Sequence, residues 1–183
     1  MPAYDRVADS GSVLLFDAGS ETCGCPRLAD PARHTNLLGV TFTRTSSEFL
    51  DVHRGAFDTA PARVLVLADD RSVDAAQRRI DAATADGPVD VRSVPSPAAL
   101  SDVGLVVSET LDDWRTARGR SVLCFDSVTS LLEHSDLDRV FRFLHTLAAE
   151  VDAVGGVAAF HVDPTAHDQQ TLHVLETLFD DAP

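Results

Sequence analysis

The chain has 183 residues, of which 44% are hydrophobic, and its 29 acidic against 15 basic residues give a formal net charge of −14. This length suits one domain with a continuous core, and no apolar run approaches the roughly 18 residues of a membrane span. The negative charge argues against nucleic acid as a direct partner, because neutralising phosphates requires a basic patch. Residues 1–12 lack the basic and apolar regions of a secretion signal, so we expect a cytoplasmic protein.

Strand-like and helical patterns alternate along the chain. The predicted strands are Ser12–Phe16, Leu38–Thr43, Arg63–Ala68, Val89–Val94, Ser121–Phe125 and Gly156–Val162. Several of them are continuous apolar stretches, as expected for a parallel sheet covered on both faces.

Helical patterns fill most of the intervals between these strands. Helices are predicted over Ser72–Ala85, over Val103–Trp114 (where "GLVV" also fits a strand), from Ser135 to Val151, and around Leu172–Phe179. Ser135 with Asp138 is a partial capping box, and Gly155-Gly156 ends that helix. This order predicts a single domain over 1–183, an α/β protein with three α/β/α layers and a mostly parallel sheet.

The basic residues are all arginine, because the sequence contains no lysine. Acid-rich, lysine-free chains with much Ala and Val are typical of salt-in haloarchaea, where a carboxylate-covered surface stays hydrated in concentrated salt. An ordinary acidic protein from a GC-rich genome is the alternative interpretation.

A glycine-bracketed loop, "DAGSETCGCP", follows the first predicted strand. Gly19 and Gly24 have the G-x-x-x-x-G spacing of a phosphate-binding loop, but Cys25 and Pro26 stand where that loop has Lys and Ser or Thr. Cys25 supplies no positive charge, and Pro26 supplies neither a hydroxyl nor a backbone N–H. We therefore interpret the loop as a decayed phosphate loop retained as a scaffold turn.

The segment "SVLCFDSVTSLL" places Asp126 and Ser127 at the end of an apolar strand. An acid in this position holds Mg²⁺ in ATPases, whereas in an unrelated protein it would cap the following turn. Cys124 in the same run is expected to be a small core residue, and Cys23 and Cys25 are expected to be ordinary loop residues.

The segment "GVAAFHVDPTAHD" carries the side chains His161, Asp163, His167 and Asp168 after the last predicted strand. These are weak candidates for metal binding, since His and carboxylates bind zinc or iron. The alternative is a polar loop in which Asp163-Pro164 forms a turn and Asp168 caps the last helix. We predict no metal centre here.

With these segments in place, nearly the whole chain resembles a degenerate RecA/KaiC-like domain of the P-loop NTPase class. More narrowly, it resembles haloarchaeal KaiC-like ("HTR-like") proteins of a family of unknown function. The stretch from Val122 to Asp168 is the most specific part of the resemblance.

The resemblance implies a pseudo-ATPase. In active relatives the strand after the phosphate-loop helix ends in a catalytic Glu, but here that segment offers Thr43, Arg44 and Thr45, and Glu48 lies further on. We therefore expect no catalytic residue and no cofactor, and a binding or signalling module acting through contacts with a protein partner or a second copy. One alternative is a nucleotide binder or slow ATPase in which Asp126 holds Mg²⁺ and Arg44 or Arg27 replaces the lysine. The other is a metal protein using His161, Asp163 and His167.

Overall fold

The computed structural model describes residues 11–16, 35–57, 63–68, 89–94, 96–117 and 119–179, with the side chains of 54–57 left aside. Six strands lie in these ranges: β1 Gly11–Phe16, β2 Thr35–Thr41, β3 Val64–Ala68, β4 Val89–Ser93, β5 Arg120–Asp126 and β6 Val157–Val162. All six predicted strands are confirmed, with ends shifted by up to three residues.

The strands form one sheet in the order β1-β6-β5-β2-β3-β4, and every neighbouring pair is parallel. The predicted α/β class with a parallel sheet is thereby confirmed. In the centre of the sheet, Thr41 at the end of β2 lies beside Asp126 at the end of β5.

Five α-helices lie in the described ranges: α1 Ser46–Phe57, α2 Leu100–Trp114, α3 Val128–Leu132, α4 Leu137–Ala153 and α5 Gln169–Glu176. The helical interpretation of Val103–Trp114 is confirmed, while Ser72–Ala85 lies outside the described residues. The short helix α3 and the helix α1 were not predicted.

The sequence predicts the C-terminal end of α4 correctly, but the predicted N-cap is one residue too early. Its N-cap is Asp136 rather than Ser135, because the Asp136 carboxylate accepts the Arg139 N–H at 2.9 Å. At the other end Gly155 has a φ of +66°, and the N–H groups of Gly155 and Gly156 donate to the carbonyls of Asp152 and Val151. This glycine-terminated motif ends α4 where the sequence predicts.

The helices cover both faces of the sheet. On one face α2, α3 and α4 pack on Leu38, Phe125 and Phe160, all fully buried. On the other face Phe49 of α1 joins a smaller cluster around Val66 and Cys124. The arrangement is a three-layer α/β/α fold, as predicted.

The path of the chain through the sheet reverses between β2 and β5. From β2 the chain proceeds to β3 and β4 on one side, whereas from β5 it proceeds to β6 on the other. In open parallel sheets, ligands bind beyond the carboxyl ends of the strands at such a reversal. The carboxyl ends of β2 and β5 are therefore the place to look for a site.

Candidate functional site

A cavity of about 410 Å³ opens at this reversal. Its lining residues come from the carboxyl ends of β5 and β6, from the segments that follow β2, β5 and β6, and from α3 and the residue after it. They are Thr43, Arg44, Asp126, Ser127, Thr129, Ser130, Glu133, His161, Val162 and Asp163. Four hydroxyls, three carboxylates and one guanidinium make this lining strongly polar. Such a lining suits a small polar ligand, and its excess of carboxylates disfavours a bare anion.

Asp126 is held by the two residues that follow β2. Its Oδ2 accepts the Thr43 hydroxyl at 2.7 Å and lies 3.8 Å from Nε of Arg44. The two charged side chains are only 15% and 22% exposed, so the pair is partly shielded from water. Arg44 therefore forms an ion pair with the Asp126 carboxylate.

Ser127 begins the short helix α3. Its side chain accepts the Ser130 N–H at 3.4 Å, which makes it the N-cap, and the peptide bond between Asp126 and Ser127 is cis. The sequence prediction placed both residues at a strand end, and the structure agrees. Of the two, Ser127 rather than Asp126 caps the following turn.

Thr129 ties α3 to the segment after β6. Its Oγ1 accepts the Asp163 N–H at 2.9 Å and lies 3.1 Å from Nε2 of His167. A single hydroxyl therefore anchors both ends of the short turn that forms one wall of the cavity.

Asp163 and Asp168 act as caps, which is the alternative that the sequence analysis left open. Asp163 accepts the hydroxyl and N–H of Thr165, and Asp168 accepts the N–H of Thr171 at 2.7 Å. Hydrogen bonds from Thr165 lower the pKa of Asp163, and those from Thr171 lower the pKa of Asp168. Both carboxylates are thus occupied within their own turns.

His161 lines the cavity together with Asp163, and its ring lies against Cys124. Its ring is buried, with Nε2 at 3.8 Å from Sγ of Cys124. Among the described residues, no group of three or more His, Cys, Asp or Glu side chains is placed to hold a metal ion. The weak metal candidates therefore form no such group in this part of the chain.

Cys124 is fully buried, as predicted, but it is also disulfide-bonded. The sequence analysis did not predict a disulfide, because bonding requires two cysteines to meet in space and spacing along the chain does not reveal that.

Glu48, the acid that the sequence analysis compared with a catalytic Glu, forms hydrogen bonds with Thr45. Its Oε2 accepts both the N–H and the hydroxyl of Thr45 at 2.9 Å, while the Glu48 N–H donates to the Thr45 hydroxyl. This reciprocal capping box begins α1.

The remaining loop candidates, Gly19, Gly24, Cys25 and Arg27, lie outside the described residues. The structure adds Thr129 and Glu133 to the cavity and gives Thr43 the role of holding Asp126. Thr43 was visible as a polar residue after a predicted strand, but no sequence signal marked Thr129, whose role depends on a contact 34 residues away.

The fold and cavity define a parallel α/β protein with a polar site at the reversal of its sheet. The chain belongs to a family of unknown function, DUF7504, whose sequence profile matches residues 11–182. A search of curated proteins gives no match. Within the described ranges, no helix is long and apolar enough to cross a bilayer.

Proposed function

We propose that this protein is a non-catalytic binding module that takes a small polar ligand at the Asp126 cavity and acts through protein contacts. The observation that carries the proposal is the position of that cavity, where the chain reverses between β2 and β5 and three strands end around one polar space.

The groups that hydrolysis would need are missing or otherwise engaged. The chain has no lysine to reach a phosphate, Glu48 is bound in the capping box of α1, and Asp126 is paired with Arg44. Efficient phosphoryl transfer depends on positioned charges of these kinds, so a site without them binds without turning its ligand over.

The resemblance to RecA/KaiC-like domains supports the same proposal by analogy. Strand β1, which precedes the glycine-bracketed loop, and strand β5, which ends in Asp126, lie in one parallel sheet with β6 between them. RecA and KaiC relatives self-associate, so a second copy of the chain is the first partner to test. The acidic, lysine-free composition adds the proposal that the protein works in concentrated salt inside a halophilic archaeon.

A second candidate function is nucleotide binding with slow hydrolysis. The favouring observation is that Asp126 ends β5 beside a cavity and close to Arg44, so that a metal-complexed phosphate would meet an acid and a guanidinium together. To bind there, that ligand would have to separate the Asp126 carboxylate from the Arg44 guanidinium.

The test is titration calorimetry of Mg²⁺-ATP and Mg²⁺-ADP in molar KCl, together with an assay of phosphate release. We expect no phosphate release above buffer, because the Glu48 carboxylate is engaged in the capping box of α1 and the Asp126 carboxylate is paired with Arg44. Sedimentation velocity in the same buffer measures self-association. A KaiC-type ATPase under the same conditions is the positive control.

Two matched variants distinguish the non-catalytic binding module from a nucleotide binder with slow hydrolysis. Asp126→Asn removes the charge in the cavity, and Asp138→Asn removes an exposed charge on α4. Phosphate release that Asp126→Asn abolishes and Asp138→Asn retains would contradict the non-catalytic proposal. Nucleotide binding without turnover, weakened only by Asp126→Asn, would identify the ligand class of the cavity.

A further inference from the structure

His53 of α1 is a buried histidine with one unpaired ring nitrogen. The side chain is 1% exposed, its Nδ1 donates to the Phe49 carbonyl at 2.7 Å, and its ring stacks on the Phe49 ring at 4.1 Å. Its Nε2 is buried and has no hydrogen-bond partner among the residues that the structure describes. With the proton on Nδ1, the ring is neutral and Nε2 carries only a lone pair. This tautomer has the lowest free-energy cost of burial at this position.

The surroundings of His53 oppose a second proton. Among the described residues, Arg44 from the segment before α1 and His161 from β6 repel a charged ring, and only Asp126 from β5 attracts it. Burial has the largest effect on the pKa of His53. Burial and the charges of His161 and Arg44 outweigh the hydrogen bond to the Phe49 carbonyl and the attraction of Asp126, so the pKa falls from 6.5 to about 4. A protonated ring here would be a buried cation with an unpaired N–H.

Helix α1 is joined directly to the cavity wall. Arg44 precedes its capping residue Thr45, and the Arg44 N–H donates to the Thr41 hydroxyl at 3.1 Å. Because Arg44 directly precedes Thr45, movement of α1 away from the sheet pulls on Arg44. Separation of the Arg44 side chain from Asp126 also requires the hydrogen bond between Arg44 and Thr41, which fastens Arg44 to the end of β2, to break.

We propose that α1 is a proton-sensitive wall of the cavity: uptake of a proton by His53 releases the helix from the sheet and opens the Arg44–Asp126 pair. The release of α1 depends only on His53 and the residues around it. The effect on ligand binding rests on the proposed function.

The direction of the effect follows from the two states of the histidine. Released α1 takes up the proton below about pH 6.5, whereas packed α1 resists it down to about pH 4. Acidification from pH 7 to pH 5 therefore raises the population of released α1 by about 20-fold, and no change is expected above pH 7.

The test is native-state amide hydrogen exchange of the full chain at constant ionic strength between pH 7 and pH 4.5, corrected for intrinsic exchange rates. We expect protection in α1 to fall by about 20-fold by pH 5, while protection in α4 changes far less. An equal loss in α1 and α4 would mean global unfolding and would overturn the proposal.

His53→Phe keeps an aromatic ring on Phe49 and removes the proton, so its α1 should not respond to pH. His53→Asn, which keeps a donor, serves if the Phe variant does not fold. His145→Phe, on the exposed face of α4, is the matched control and should respond like the wild type. An unchanged acid response in both His53 variants would also overturn the proposal.

Titration of Mg²⁺-ADP at pH 7 and pH 5 separates this inference from the proposed function. Helix release without any nucleotide binding leaves the inference standing and counts against nucleotide as the ligand. Binding that is equal at both pH values, with α1 released at pH 5, would overturn the coupling of the helix to the cavity.

Discussion

Gly39 shows how a single missing side chain positions the site. It lies in the middle of the buried strand β2, and a Cβ atom there would overlap the ring of Phe49. The bare backbone lets Phe49 lie directly on the sheet, and His53 stacks on the Phe49 ring. Glycine normally weakens a strand, so its presence here marks a close approach between α1 and β2.

Replacing Gly39 with alanine should destabilise the fold. We expect Gly39→Ala to lower the free energy of unfolding by about 1–3 kcal/mol, because the Phe49 ring must leave a packed position. Urea unfolding followed by Trp114 fluorescence and circular dichroism measures the effect.

Gly104 is the matched control for Gly39. It lies in α2, where a new Cβ would make only ordinary contact with Phe143 at 3.4 Å. Gly104→Ala should be neutral or stabilise the protein by up to about 1 kcal/mol, since alanine is the better helix former. Equal effects of the two substitutions would contradict the packing of α1 described above.

At the scale of elements, the cavity depends on how turns are fastened to one another. Helix α3 has five residues, too few to be stable alone, and it is held by its Ser127 cap and by the contact of Thr129 with the turn after β6. Helix α4 was predictable from its apolar spacing, whereas α3 was not, because its stability comes from tertiary contacts.

Removing the Thr129 hydroxyl should loosen this connection. Thr129→Val leaves the Asp163 N–H without its partner, and we expect the free energy of unfolding to fall by about 1–2 kcal/mol. Thr129→Ser keeps the hydroxyl and should recover most of that loss. Faster exchange of the Asp163 amide in the Val variant locates the effect.

Thr146, an exposed threonine on α4, is the control for the prediction about Thr129. The Thr146 hydroxyl bonds only the Arg142 carbonyl of its own helix, so Thr146→Val should change stability by less than about 0.5 kcal/mol. If Thr146→Val costs as much as Thr129→Val, the turn after β6 is not anchored by Thr129.

At the scale of the whole molecule, charge opposes folding. Acidic residues outnumber basic ones by 29 to 15, so the compact state brings many like charges together. Salt weakens this repulsion, because the screening length falls from about 10 Å at 0.1 M to about 3 Å at 1 M.

The melting temperature should therefore rise with salt. Between about 0.1 M and about 1 M KCl we expect an increase of at least about 5 °C, equivalent to roughly 1–2 kcal/mol for a chain of this size. Choline chloride at the same ionic strength should act similarly if screening is the cause. A melting temperature that stays constant or falls in both salts would contradict this reasoning.

The sequence by itself determined the parallel α/β class, all six strands and the position of Asp126 at a strand end. These features follow from apolar runs and from glycine at helix ends, which act over a few neighbouring residues. The end of α4 at Gly155 is one such case.

Only the tertiary structure decided which polar residues meet. Asp126 lies 83 residues from Thr43, and Asp163 lies 34 residues from Thr129, so no local pattern could reveal either contact. The sheet order brings these segments together. Asp163 in its turn and Glu48 at the start of α1, by contrast, bind partners only two and three residues away. The residue types could be read from the sequence, but the contacts of Asp126 with Thr43 and of Asp163 with Thr129 depend on the packing of strands that are distant along the chain.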